Sequence, residues 1–266
     1  MATQGDEAEM LAGADPYFTV AEHNILVAGG AGGLGAPLAR ALSARGARIA
    51  IADVDPVRAA ALADDLKAAG GEALAVSLDV VEQASCTAAV DAAVQQWGRL
   101  DGLVNASGIY RVAPALELAD AEWERTLDIN VSGAFRLARA AGKVMIEQRH
   151  GSIISLASVS SAVANPNYAA YAASKAAVAH VTRVLAVEWA RHGVRVNAIG
   201  PAVTPTPLAA PILADEATRS SALARIPMGR FGTPDDLVAA TIFLLSPGSA
   251  FVTGQTLYVD GGRTIS

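Results

Sequence analysis

Ala28-Gly29-Gly30-Ala31-Gly32-Gly33-Leu34-Gly35 follows a short apolar run, Asn24–Ala28, and opens a helix-prone stretch, Leu34–Arg45. The Gly29-x-x-x-Gly33-x-Gly35 spacing allows a tight turn, close approach of backbone to a pyrophosphate, and close packing of helix on strand. A glycine cluster alone is a weak signal, with a plain loop as its alternative; the strand-turn-helix setting strengthens the nucleotide reading. Helix N-termini point free amides and a positive dipole end at such a phosphate. Gly29, Gly32, Gly33, Leu34 and Gly35 are the expected contacts.

Outward from this turn, apolar runs alternate with longer Ala-rich amphipathic stretches. That alternation predicts a parallel sheet of seven strands with helices on both faces. The strands are expected at Asn24–Ala28, Arg48–Asp53, Ala73–Leu78, Gly102–Ala106, Ser152–Leu156, Val194–Ile199 and Gln255–Val259. Helices are expected at about Leu34–Arg45, Pro56–Ala69, Gln83–Gln96, Ala121–Glu147, Tyr168–Arg191 and Asp235–Leu245. Most strands end in polar or small residues, at the edge where open α/β sheets take ligands. Val203 to Arg225 departs from this pattern: Pro205, Pro207 and Pro211 break regular structure, and the stretch reads as a substrate-covering loop.

Asp53 stands eighteen positions past Gly35, at the end of the second strand. A carboxylate there accepts ribose hydroxyl bonds and repels a 2′-phosphate, although a strand-end turn residue is the plainer alternative. Val54 rather than an arginine follows it, and the glycine loop holds no basic residue, so NAD is expected over NADP. Asp79, with Val80, either bonds the adenine or makes an ordinary turn. Asn105-Ala106-Ser107-Gly108 either lets a flat cofactor pass over small side chains or simply turns the chain.

Composition excludes several classes. A formal charge of −6 without a clustered basic face argues against nucleic acid. Hydrophobic residues make up 52% of the chain, but many are Ala and no apolar run is long enough to span a bilayer, so no membrane partner is expected. Residues 1–17 carry Asp6, Glu7, Glu9 and Asp15 and read as a disordered acidic tail, with one domain over 18–266. Cys86 is the single cysteine, which fits a reducing, cytoplasmic setting. His23, His150, His180 and His192 lack ligand spacing, so no metal is expected.

Tyr171-Ala172-Ala173-Ser174-Lys175 puts a phenol and an ammonium four residues apart on one helix, so both leave the same face. Ser158 lies thirteen residues earlier, just past the fifth strand, where its hydroxyl could face the same cleft. A free phenol with a pKa of about 10 is a poor base near neutrality. Lowering it by roughly two to three units, through Lys175 and the positive oxidised nicotinamide, would make it a useful one.

With these stretches, Leu127-Asp128-Ile129-Asn130, Pro201 through Thr206, Val252-Thr253-Gly254-Gln255 and Val259-Asp260-Gly261-Gly262, the chain resembles the short-chain dehydrogenase/reductase family from Phe18 to Gly262. The resemblance implies a Rossmann-type, doubly wound sheet and a homotetramer. It implies a tetrad of Asn130, Ser158, Tyr171 and Lys175, in which Tyr171 exchanges a proton with the substrate oxygen. Asn130 would position a water joining Lys175 to solvent, where an ordinary helix-interior Asn is the alternative. Pro201, Val203, Thr204 and Thr206 would hold the nicotinamide carboxamide. Ala28, Ser107 and Ala202 depart from the family's usual Thr, Ala and Gly.

The resulting expectation is an NAD(H)-dependent oxidoreductase interconverting a small secondary alcohol, of the sugar or polyol kind, and its ketone. One rival is a 3-oxoacyl carrier-protein reductase, which would prefer NADPH and need basic residues at the cleft. Another is a non-catalytic nucleotide sensor, against which the intact tetrad argues. Substrate choice is expected to lie in Tyr110–Glu117, Val159–Asn167 and Val203–Arg225.

Overall fold

In the computed structural model, which describes residues 15–266, the seven apolar runs pair into one wholly parallel sheet. The strands are β1 (Asn24–Ala28), β2 (Arg48–Asp53), β3 (Ala73–Ser77), β4 (Gly102–Asn105), β5 (Gly151–Leu156), β6 (Val194–Pro201) and β7 (Thr256–Val259). Their order across the sheet is β3-β2-β1-β4-β5-β6-β7, so the chain winds one way from β1 and then back the other. The switch point lies between β1 and β4, where Ala28 pairs with Asn105. That is the crevice in which doubly wound sheets bind ligands.

Alternation along the central strands feeds two cores. Ile25 and Val27 face one side with Ile49, Ile51, Val104 and Ile154, covered by α1 (Gly35–Ser43), α2 (Pro56–Ala68) and α9 (Val238–Leu245). Leu26 and Ala28 face the other with Leu103, Ile153 and Val196, covered by α3 (Gln83–Trp97), α5 (Ala134–Gln148) and α6 (Ala169–Trp189). Each fully buried Leu or Ile stabilises by roughly 1.5–3 kcal/mol relative to exposure. The sheet is covered on both faces, which is why its strands read as unbroken apolar runs.

The long helix expected over Ala121–Glu147 is three pieces: α4 (Asp120–Leu127), one π-helical turn over Asp128–Gly133, and α5. The segment expected as a loop over 203–225 is largely helical, with a short 3₁₀ turn at Pro207–Ala209, α7 (Ala210–Ala214) and α8 (Glu216–Leu223). Pro207 and Pro211 sit at helix starts, where a missing N–H costs nothing. Asp215 then caps α8 by accepting from Thr218 N at 2.7 Å. Most of the expected acidic tail, through residue 14, lies outside the described residues. Beyond it, the Tyr17 carbonyl accepts from Gly248 N at 2.7 Å.

Candidate active site

The glycine turn closes on itself. Gly29 has φ +64°, and its carbonyl accepts from Gly32 N at 2.9 Å. A Cβ on Gly35 would stand 2.1 Å from the Gly29 oxygen, and one on Gly33 would stand 2.7 Å from Thr206 Cβ. Among the described residues the amides of Gly33 and Leu34 have no acceptor, and both lie at the mouth of α1. Two free amides at a helix N-terminus, with no side chain in the way, fit a diphosphate.

At the end of β2 the buried Asp53 carboxylate accepts from Ala31 N at 3.0 Å and Asp55 N at 3.1 Å. It braces the glycine turn, and its position beside that turn is where a ribose would lie. Val54 is exposed. Arg58, on α2, donates to the Ala31 carbonyl, so a guanidinium stands in this corner after all. Sequence reading missed it because four residues of turn and helix separate it from Asp53.

Asp79 accepts from Val81 N at 3.1 Å, a turn bond, while Val80 is buried beneath Gly133. Asn105 Oδ1 accepts both the amide and the hydroxyl of Ser107, at 3.1 and 2.5 Å, so the family's usual Ala is replaced by an extra tie within the turn. Ala106 N donates to the Ala28 carbonyl at 2.9 Å, which joins β1 to β4 without the missing hydroxyl. Pro201 ends β6, and Val203 accepts from Gly232 N at 3.0 Å. Thr204 is buried, donating to the Ala202 carbonyl at 3.2 Å, while Thr206 faces Gly33.

The four tetrad residues converge. Ser158, after β5, accepts from Ser160 N at 3.1 Å. Lys175 Nζ lies 5.7 Å from the Tyr171 ring centre and donates to the Leu156 carbonyl at 2.7 Å. Asn130, in the π turn, accepts from Ile109 N at 2.8 Å and donates to the Ile109 carbonyl at 2.9 Å and Ser174 Oγ at 3.0 Å. Both of its amide protons are therefore used, fastening the loop after β4 to the helix that carries Tyr171. The water-positioning expected of Asn130 would fall to its backbone carbonyl or to the remaining lone pair of Oδ1. Gly108 keeps the space between Asn130 and Lys175 open, since a Cβ there would lie 3.1 Å from Asn130 Oδ1 and 3.7 Å from Lys175 Nζ.

Burial dominates the electrostatics. It pushes the Tyr171 phenol up to about 12, against the pull of the Ser158 hydroxyl, and it brings the Lys175 amine down to about 8. The expected fall in the phenol's pKa is thus not delivered by the protein's own groups. It needs a further positive charge, which an oxidised nicotinamide would bring.

These residues floor a cavity of about 480 Å³. All three segments expected to choose the substrate reach it, through Tyr110, through Asn165 and Pro166, and through Leu208, Thr218, Ser221 and Arg225. Tyr110 and Tyr168 stand edge-on to Tyr171, with ring centres 4.9 and 6.2 Å away. The Tyr110 hydroxyl is buried without a well-formed hydrogen bond, and burial pushes its pKa far up. Arg263, missed in the sequence, also lines the cavity, so the cleft is not free of basic residues.

A family model described as enoyl-(acyl carrier protein) reductase matches residues 29–264. The chain is 44% identical to the D-threitol dehydrogenase of Mycolicibacterium smegmatis, over 90% of this chain and 92% of that protein. It is 36% identical to the 5-keto-D-gluconate 5-reductase of Escherichia coli, over 94% of this chain and 98% of that protein. The crystal structure of a gluconate 5-dehydrogenase from Burkholderia cenocepacia, in complex with NADP and tartrate, superposes with a TM-score of 0.91. It shares 38% identity and covers 94% of this chain and 98% of that one. Sheet order, glycine turn and convergent side chains agree with these matches, and the chain belongs to the short-chain dehydrogenase/reductase family.

Proposed function

We propose that the protein is an NAD(H)-dependent oxidoreductase that interconverts a small secondary alcohol, of the sugar or polyol kind, and its ketone, with Tyr171 as acid/base. The observation that carries this reading is the placing of Tyr171, Ser158 and Lys175 at the floor of one cavity, beside the edge that fits a dinucleotide. Bound along that edge, the nicotinamide dinucleotide would supply the acceptor or donor of the hydride.

The remaining work belongs to the chain. Tyr171 Oη takes the proton of the alcohol in oxidation and returns it to the ketone in reduction. Ser158 Oγ bonds the substrate oxygen as its charge changes, where a preorganised donor is worth most. Lys175, four residues along the same helix face, adds the positive charge that favours the phenolate. Asn130 holds the loop after β4 against α6 and so fixes the distance between cavity wall and Tyr171.

NAD over NADP is inferred from the Asp53 carboxylate, and the sugar or polyol kind from the similarity to a threitol dehydrogenase and a 5-keto-D-gluconate 5-reductase. A homotetramer and a cytoplasmic setting complete the reading. Exposed Val184 and Val187 on α6 and Phe135 on α5 offer apolar surface for the former, and the lone buried Cys86 is compatible with the latter. An acyl-carrier reductase would need a broad basic docking face, and two arginines at the rim fall short of one.

The test follows absorbance at 340 nm, the band of reduced nicotinamide, with NAD and NADP against alcohols, polyols and hydroxyacyl thioesters. Tyr171→Phe is expected to remove turnover while NADH affinity, read by fluorescence, stays within about threefold, because only the proton-transfer group is lost. Full activity in this variant would discard Tyr171 as the acid/base.

A further inference from the structure

The outer wall of the cavity holds an arrangement that the reaction at its floor does not use. Arg225, just past α8, donates through Nη1 to Asn165 Oδ1 at 2.9 Å. Arg263, in the stretch after β7, donates through Nη2 to the same oxygen at 3.4 Å. The two guanidinium nitrogens therefore lie within 6.3 Å of each other, those two distances laid end to end. Among the described residues neither arginine makes an ion pair.

Two acidic side chains of these stretches, Asp260 and Glu216, are already engaged. Asp260 is held by Gly262 N, Thr264 N and Thr264 Oγ1; burial pushes its carboxyl up, but these bonds, with Arg263 close by, together outweigh that and keep it below the usual range. Glu216 pairs with Arg219 at 3.3 Å. A neutral amide oxygen thus gathers two like charges at the cavity wall, and an anion bound between them would offset their mutual repulsion. Ser221 lines the same wall and accepts from Arg225 Nη2 at 3.3 Å, and Thr218 lines it beside.

We propose that Arg225 and Arg263 form an anion subsite, and that the substrate is a secondary alcohol or ketone bearing a carboxylate, of the aldonate kind, rather than a neutral polyol. The inference rests on the oxidoreductase reading and narrows its substrate. Guanidinium pairs suit this role because their planar forks match a carboxylate bidentately. The anion recognised is not the cofactor's: Asp53, Arg58 and the glycine turn lie on the β2 side of the switch point, whereas Arg263 follows β7 at the far side of the sheet. Size agrees as well, since about 480 Å³ must take the nicotinamide end and leaves room for only a small substrate. Arg225 belongs to the helical segment over the cavity while Asn165 and Arg263 belong to its body, so a carboxylate between them ties cover to base.

The experiment compares aldonates of four to six carbons with alditols of the same length, as paired substrates for the wild-type protein, Arg225→Gln and Arg263→Gln. In wild type, kcat/KM for the preferred aldonate should exceed that for its alditol by about tenfold or more. In each variant that ratio should fall about tenfold, through KM rather than kcat. Raising NaCl from about 20 to about 500 mM should raise KM for the aldonate and not for the alditol. Equal or better turnover of alditols by wild type, or ratios unmoved in both variants, overturns the subsite. Turnover of neither series is a failure of the oxidoreductase reading instead. Calorimetric titration with gluconate and glucitol then judges the subsite alone: gluconate binding lost in the double variant supports it, and no gluconate binding to wild type overturns it.

Discussion

At the scale of single residues, Asp53 and Arg58 show how a site is divided between what spacing reveals and what folding adds. Asp53 was legible because the chain must place something eighteen positions past the glycine turn, at a strand end. Arg58 was not, because its reach to the Ala31 carbonyl depends on how α2 leaves β2. The same holds for Arg263 and Asn165, which lie 98 positions apart, and for Tyr110, whose packing on Tyr171 joins a loop to α6. Asp53→Ala should narrow the preference for NAD over NADP, read as a ratio of kcat/KM, by about tenfold or more. A repelling carboxylate is removed while the guanidinium of Arg58 stays to meet a 2′-phosphate. An unchanged ratio, or a wild-type preference for NADPH, would refute the ribose assignment.

Whole elements were the most readable part of the chain. Every expected strand forms, with ends moved by at most two residues, because a sheet buried on both faces demands apolar runs that no loop imitates. β6 runs to Pro201 rather than Ile199, since a proline at a strand's last position removes no interior donor from the ladder, and Pro201 pairs in register with Val259. The helical segment over the cavity was less readable because its prolines mark helix starts as readily as breaks. Where the glycine turn meets α1, contact is tightest. Gly35→Ala would force a methyl to within 2.1 Å of the Gly29 carbonyl, backbone against backbone. We expect it to lower the melting temperature and to weaken NADH binding by at least about tenfold, both measurable by melting with and without NADH. Wild-type affinity in that variant would mean that the turn does not hold the pyrophosphate.

For the whole molecule, the buried pair of Tyr171 and Lys175 links folding to pH. Lys175 binds its proton less tightly in the folded protein, at about 8 against the ordinary 10.5, so the unfolded chain holds more protons between these values. Stability from this residue therefore rises with pH across that window. Tyr171 has the opposite sign: raised from 10.0 to about 12, its contribution is complete below 10.0 and is lost as pH climbs through about 12. Between about pH 7 and pH 9.5 the lysine is the one of the two that titrates, and thermal melts should show wild type gaining on Lys175→Met over that range. A constant gap between their melting temperatures would show that Lys175 is not held low by burial.

One residue too many in a helix has a cost and a use. The π-helical turn at Asp128–Gly133 carries about one residue more than an α-helical turn, which swings everything before it by roughly 100° about the axis relative to α5. Deleting a single position there would restore a smooth cylinder, yet it would also rotate α4 away and carry Asn130 off Ile109 and Ser174. The irregularity is thus the part of that helix least able to tolerate tidying.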